Sequence, residues 1–156
     1  MDATKKHEAL PEAAERREGM RLLARATLSE LSTAWEAIAD KPEVALVRGP
    51  ETGLVMVRGR IGGGGDPFNL GEATVSRATV RLSTGEIGHG QLLGTDKERA
   101  RFAAIFDALL QNEAHRPAVD ALHRRIAARI GAEDRRKAAE TAATRVDFFT
   151  MVRGDD

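Results

Sequence analysis

The stretch RGRIGGGGDPFNLGE sets two guanidinium groups, Arg58 and Arg60, directly ahead of four consecutive glycines, Gly62, Gly63, Gly64 and Gly65. Residues without a Cβ reach positive φ and let backbone N–H groups close on a ligand, and guanidinium forks bind phosphate oxygens in pairs. Arg77 and Arg81, expected on a neighbouring strand, extend the same cationic set. A phosphate or triphosphate cradle is one reading. A flexible hairpin loop is the other, because neither the P-loop nor the Gly-x-Gly-x-x-Gly spacing is present.

The histidines are His7, His89, His115 and His123. His115 and His123 are eight residues apart, and no carboxylate accompanies them at a spacing typical of metal sites. With no cysteine in the chain, thiolate sites and disulfides are excluded, and no metal is expected. His89, in GEIGHGQ, is flanked by small residues, so its ring suits either a shallow pocket or a structural role. No Ser/His/Asp set, Gly-x-Ser-x-Gly turn or singled-out carboxylate pair emerges. Independent catalysis by this chain is therefore not expected. The run RRIAARIGAEDRRK collects Arg124, Arg125, Arg129, Arg135, Arg136 and Lys137. It reads as a solvated helix face rather than an RNA patch, since no aromatic residue is interleaved to stack on bases.

The 24 basic and 24 acidic residues cancel, so no global field draws the chain to nucleic acid or a membrane. A neutral surface gives little protection against association, which suits a protein that lives with partners. The N-terminus MDATKKHEAL has no apolar leader and no run approaches a membrane span, so a soluble cytoplasmic protein is expected.

The elements that must hold these residues read as helices, a sheet, then helices. ALPEAAERREGMRLLARA suits a helix with Pro11 in its first turn. TLSE from Thr27 to Glu30 is a capping box opening a helix with Leu28, Leu31, Trp35 and Ile38 on one stripe, closed by Lys41-Pro42. VALVRG, GLVMVRGRI, ATVSRATVRL and EIGHGQLLG read as an antiparallel sheet of about four strands, with STGE as a hairpin turn and helices over one face. Thr95 is expected to open a second capping box, TDKE, before a helix with Phe102, Ile105, Phe106, Leu109 and Leu110 facing the core. A further helix from about Pro117 shows Val119, Leu122, Ile126 and Ile130 and is expected to stop at Gly131, before an Ala-rich charged helix. At 156 residues this is one α+β domain, with residues 1–20 expected to be flexible and residues 145–156 to form an extended tail. In that tail, an extended Val146–Val152 puts Phe149 and Met151 on one side and Phe148, Thr150 and Val152 on the other. Both sides are apolar and call for cover. Each burial contributes about 1.5–3 kcal/mol against about 1–2 kcal/mol per residue for ordering the backbone, so a preformed groove is needed. The domain's own sheet and a seam with a second chain both qualify.

ATRVDFFTMVRGD resembles the C-terminal signature of the PhnG family, and ETGLVMVRGRIGG, FNLGEATVSRATVRL, the Gly-His-Gly of IGHGQLLG, and DALLQ resemble its internal blocks in the same order. The likeness spans about residues 20 to 154. It implies a subunit of α-D-ribose 1-methylphosphonate 5-triphosphate synthase, part of the carbon–phosphorus lyase system. That assembly displaces adenine from ATP with a phosphonate at ribose C1 while the triphosphate stays on C5. The implied partners are PhnH, PhnI and PhnJ with ATPase-like accessory subunits. ATP is a substrate of the whole complex, and no cofactor is expected on this chain. The tail then reads as a docking element carried by Arg145, Val146, Asp147, Phe148, Phe149, Met151, Val152 and Arg153. Direct triphosphate binding through Arg58, Arg60, Arg77, His89 and the glycine loop is the alternative role.

Overall fold

The computed structural model describes residues 11–144. Helix α1 (Pro11–Arg25) starts at its proline, and α2 (Leu28–Glu36) opens on the Thr27 capping box, whose side chain accepts from Glu30 N while Glu30 accepts from Thr27 N. The end of α2 is closed by a side chain: Lys41 Nζ donates to the carbonyls of Glu36 and Ile38, and lies 5.8 Å from the Trp35 ring centroid. Strands β1 (Val44–Arg60), β2 (Pro67–Leu82) and β3 (Ile87–Leu93) follow, then α3 (Lys97–Leu110) and α4 (Arg116–Ala143).

The sheet is antiparallel in the order β1-β2-β3. Three strands replace the four expected, because VALVRG and GLVMVRGRI are one strand. Gly49 and Pro50 look like a turn in sequence, but β1 passes through them as a bulge between the pairs Arg48↔Thr79 and Glu51↔Arg77. The left-handed φ of 69° at Gly49 absorbs the irregularity, and no chain reversal occurs. Two further expectations shift. The cap of α3 is Asp96, whose carboxylate accepts from Arg99 N, one residue beyond Thr95. Gly131 does not stop a helix, and α4 runs through it to Ala143. A lone glycine costs about 1 kcal/mol in a helix interior, less than the surrounding Ala, Leu and Ile positions return.

The pleat sorts the sheet into two faces. Leu82, Val80, Ala78 and Ser76 of β2, with Leu92 of β3, lie under the helices. Helix α3 is buried from Phe102 through Leu110, as befits a helix packed against the sheet on one side and α1, α2 and α4 on the other. It sits unusually close to β3. A Cβ on Gly88 would lie 2.0 Å from Ala104 O, and one on Gly90 would lie 2.0 Å from Ala100 O. Glycines on the strand facing Ala100, Ala104 and Ala108 on the helix permit that contact. The other face of the sheet, carrying Arg48, Glu51, Arg77, Thr79, Arg81, His89 and Gln91, has no described helix over it.

Candidate functional site

The glycine loop closes the β1–β2 hairpin through a 3-10 turn, Ile61–Gly63, in which Gly62 and Gly63 have φ of 59° and 77°. Arg60 ties down this turn with one of its N–H groups, donating from Nη1 to Gly65 O at 3.0 Å. Arg58, Arg60 and Gly63 line one open depression with Gly59 and Pro67. Arg77 is not part of it. It pairs with Glu51 rather than with the strand end, and its Nε donates to Glu51 Oε1 at 2.6 Å. Arg58 and Glu51 are seven residues apart, about 23 Å along a strand. His89 is also remote, on β3, where its Nδ1 lies 3.2 Å from Thr79 Oγ1. The sequence-derived ligand set therefore divides into a loop group of Arg58, Arg60 and Gly62 to Gly65, and an open-face pair of Arg77 and His89.

What dominates this end of the molecule is apolar. From Thr52 to Thr74 no residue is buried, so the outer half of the hairpin stands clear of the helices. Eight residues of β1, Gly53 to Arg60, carry it out by about 26 Å. Leu54 is 63% exposed, Met56 53%, Ile61 73%, Phe68 42% and Leu70 62%. Leu54 and Met56 point to the helix side of the sheet, Val55 and Val57 to the other. Leu70 is the extra residue of a bulge between Val57↔Gly71 and Arg58↔Asn69, and its Cδ1 would lie 2.5 Å from a Cβ on Gly59. The arm is thus apolar on both faces, which is the property expected of the C-terminal tail. Arg145 to Arg153 lie outside the described residues.

The two edges of the sheet are treated differently. On β3, Asp107 Oδ2 accepts from His89 N at 2.8 Å, while Arg16 and Gln111 donate to Ile87 O. Side chains from α1 and α3 thereby occupy outward-pointing backbone groups of that edge. Among the described residues no side chain does this for β1 beyond Glu43, so its outer edge is left open to pairing.

Asp107 was not singled out from sequence. It is fully buried, gripped by Arg16 through Nε–Oδ1 at 2.9 Å and Nη2–Oδ2 at 2.8 Å. The bond that Arg16 donates to Asp107 raises the Arg16 pKa further. The legible signal was a single carboxylate inside the apolar run FAAIFDALL. The basic run of α4 also resolves: Arg129 bonds Glu30, Glu133 and the Arg25 carbonyl, so it knits three helices together. Arg136 faces Glu140. Among the described residues no cluster of His, Asp and Glu could hold a metal, and no helix is long and apolar enough to cross a membrane.

Two comparisons bear on this arrangement. A family model described as "Phosphonate metabolism protein PhnG" matches residues 14–154. A protein of Rhizobium meliloti (strain 1021), named alpha-D-ribose 1-methylphosphonate 5-triphosphate synthase subunit PhnG, is 84% identical over 143 residues, covering 92% of each chain.

Proposed function

The chain belongs to the PhnG family of phosphonate metabolism proteins, and from that premise we propose that it is a subunit of an α-D-ribose 1-methylphosphonate 5-triphosphate synthase, acting through its surfaces. In the reaction so assigned, a phosphonate oxygen bonds to ribose C1 of ATP, the glycosidic bond breaks and adenine leaves. This subunit works in the cytoplasm beside PhnH, PhnI and PhnJ with ATPase-like accessory chains. Its part is to hold the assembly together, and the tail Arg145–Arg153 is a second docking element.

The observation that carries the reading is the two-sided arm. An isolated hairpin with apolar side chains on both faces gains nothing from water, while burial against a partner contributes about 1.5–3 kcal/mol for each large side chain. The test uses the full chain co-expressed with PhnH, PhnI and PhnJ. Replacing Leu54 and Met56 together by Asp, or Phe68 and Leu70 together by Asp, is expected to abolish co-purification and adenine release while leaving the far-ultraviolet dichroism of the separate subunit intact. Deleting residues 146–156 is expected to do the same. A complex that assembles normally with all three changes would sink the proposal.

A further inference from the structure

The helix-free face of the sheet carries more guanidinium than its own carboxylates satisfy. Around Thr79 on the central strand, Arg48 lies across on β1 and His89 across on β3, and Arg77 and Arg81 lie one pleat to either side on β2. Arg48 and Arg77 both donate Nε to the same atom, Glu51 Oε1, at 2.9 and 2.6 Å. That shared oxygen is one acceptor for two groups with five N–H donors each. Arg81 is exposed and makes no ion pair among the described residues, Glu43 at the near rim included. Thr79 Oγ1 holds the His89 ring through Nδ1 at 3.2 Å. Aliphatic side chains stand at the border, with Ile87 38% and Leu93 72% exposed.

We propose that this face is a further subunit interface, distinct from the arm and the tail, and that the partner surface seated on it is acidic, presenting carboxylates to Arg48, Arg77 and Arg81. The inference rests on the assembly reading above. Two physical facts select this occupant. Small-molecule sites are concave, and apart from a depression at one end, where Arg81 meets Glu43, Val44 and Ala45, this is an open sheet surface, which fits a protein partner. Covering it with an apolar partner would strand guanidinium N–H groups away from water at about 1–3 kcal/mol or more each, so the cover has to bring acceptors. Arginine is also enriched at protein interfaces and among the residues that carry most of their binding energy, a role that Arg48, Arg77 and Arg81 fit.

The experiment is charge reversal in the full chain, co-expressed with PhnH, PhnI and PhnJ, with association measured across a salt series. Arg81→Glu is expected to weaken association at least 100-fold, and Arg48→Glu with Arg81→Glu to remove most of its decline between ~0.05 and ~0.5 M NaCl, a range over which exposed charges become screened. A carboxylate-to-lysine change in the partner that restores binding to Arg81→Glu would identify the opposing residue. Association and salt dependence equal to wild type in the double variant would overturn the proposal. So would saturable binding of tripolyphosphate to the separate chain that is lost in Arg81→Glu while assembly is untouched. The arm variants run in parallel distinguish the two levels: if they fail to assemble and the charge reversals succeed, only the acidic interface falls, whereas if both assemble normally the subunit reading falls with it.

Discussion

Asp107 gives up all contact with solvent, and what offsets that loss is geometry. The Arg16 fork meets both carboxylate oxygens, and His89 N–H supplies a third bond. Removing one member of a buried pair costs about 3–5 kcal/mol. Arg16 is 36% exposed on its side chain, so it can recover some hydration, and the lower end of that range applies to Asp107→Ala. Urea unfolding is expected to show a loss of about 3 kcal/mol, and a loss under 1 kcal/mol would show that the grip contributes little. Arg16→Met strands the carboxylate instead and is expected to cost more. The sequence displayed this residue only as an interruption in an apolar run. Its partner is 91 positions away, and nothing in local spacing connects them.

At the level of elements, the approach of α3 to β3 is the feature on which the core depends. Gly88 and Gly90 flank His89, and the sequence drew the eye to the histidine as the residue with chemistry. The two glycines have the sharper requirement, since either Cβ would lie 2.0 Å from a helix carbonyl. Gly90→Ala is expected to push α3 off the strand, costing about 1–3 kcal/mol as overpacking does, with the thermal midpoint falling by roughly 2–4 °C per kcal/mol for a chain of this length. An unchanged midpoint would mean that the helix shifts freely. The period-2 pattern and the turn STGE were enough to place β2 and β3. They were not enough to count strands, because Gly-Pro marks a turn and a bulge equally well and only the pairing across to Thr79 and Arg77 separates the two.

For the molecule as a whole, stability should follow pH in two steps. His123 is half-buried between α4 and α1, its Nε2 enclosed without a hydrogen-bond partner, and burial lowers its pKa despite the nearby carboxylates of Asp120, Glu15, Glu18 and Asp107. A folded value below the unfolded one, about 6.5, means that the unfolded chain binds the proton more readily. The contribution is therefore complete above about pH 6.5 and is lost as pH falls through the lowered folded value. Glu15, Glu18, Glu51 and Glu86 are lowered by bonds from Arg116, Arg21, Arg77 and Thr84 respectively, and their contributions fade only below about pH 4.3. Urea midpoints are expected to decline between pH 7 and 5 in the native chain. In His123→Leu the decline should be confined to the acid step, and an unchanged pH profile in that variant would refute the assignment. Sequence alone determined the class of fold, the Thr27 cap, the apolar face of α3 and the family, because each is written in local periodicity or in contiguous blocks. Tertiary structure alone decided that the loop arginines and Arg77 stand far apart, that Asp107 meets Arg16, and that the hairpin arm is left uncovered. Those outcomes depend on register and on which layer ends first, and neither quantity exists until distant segments have packed.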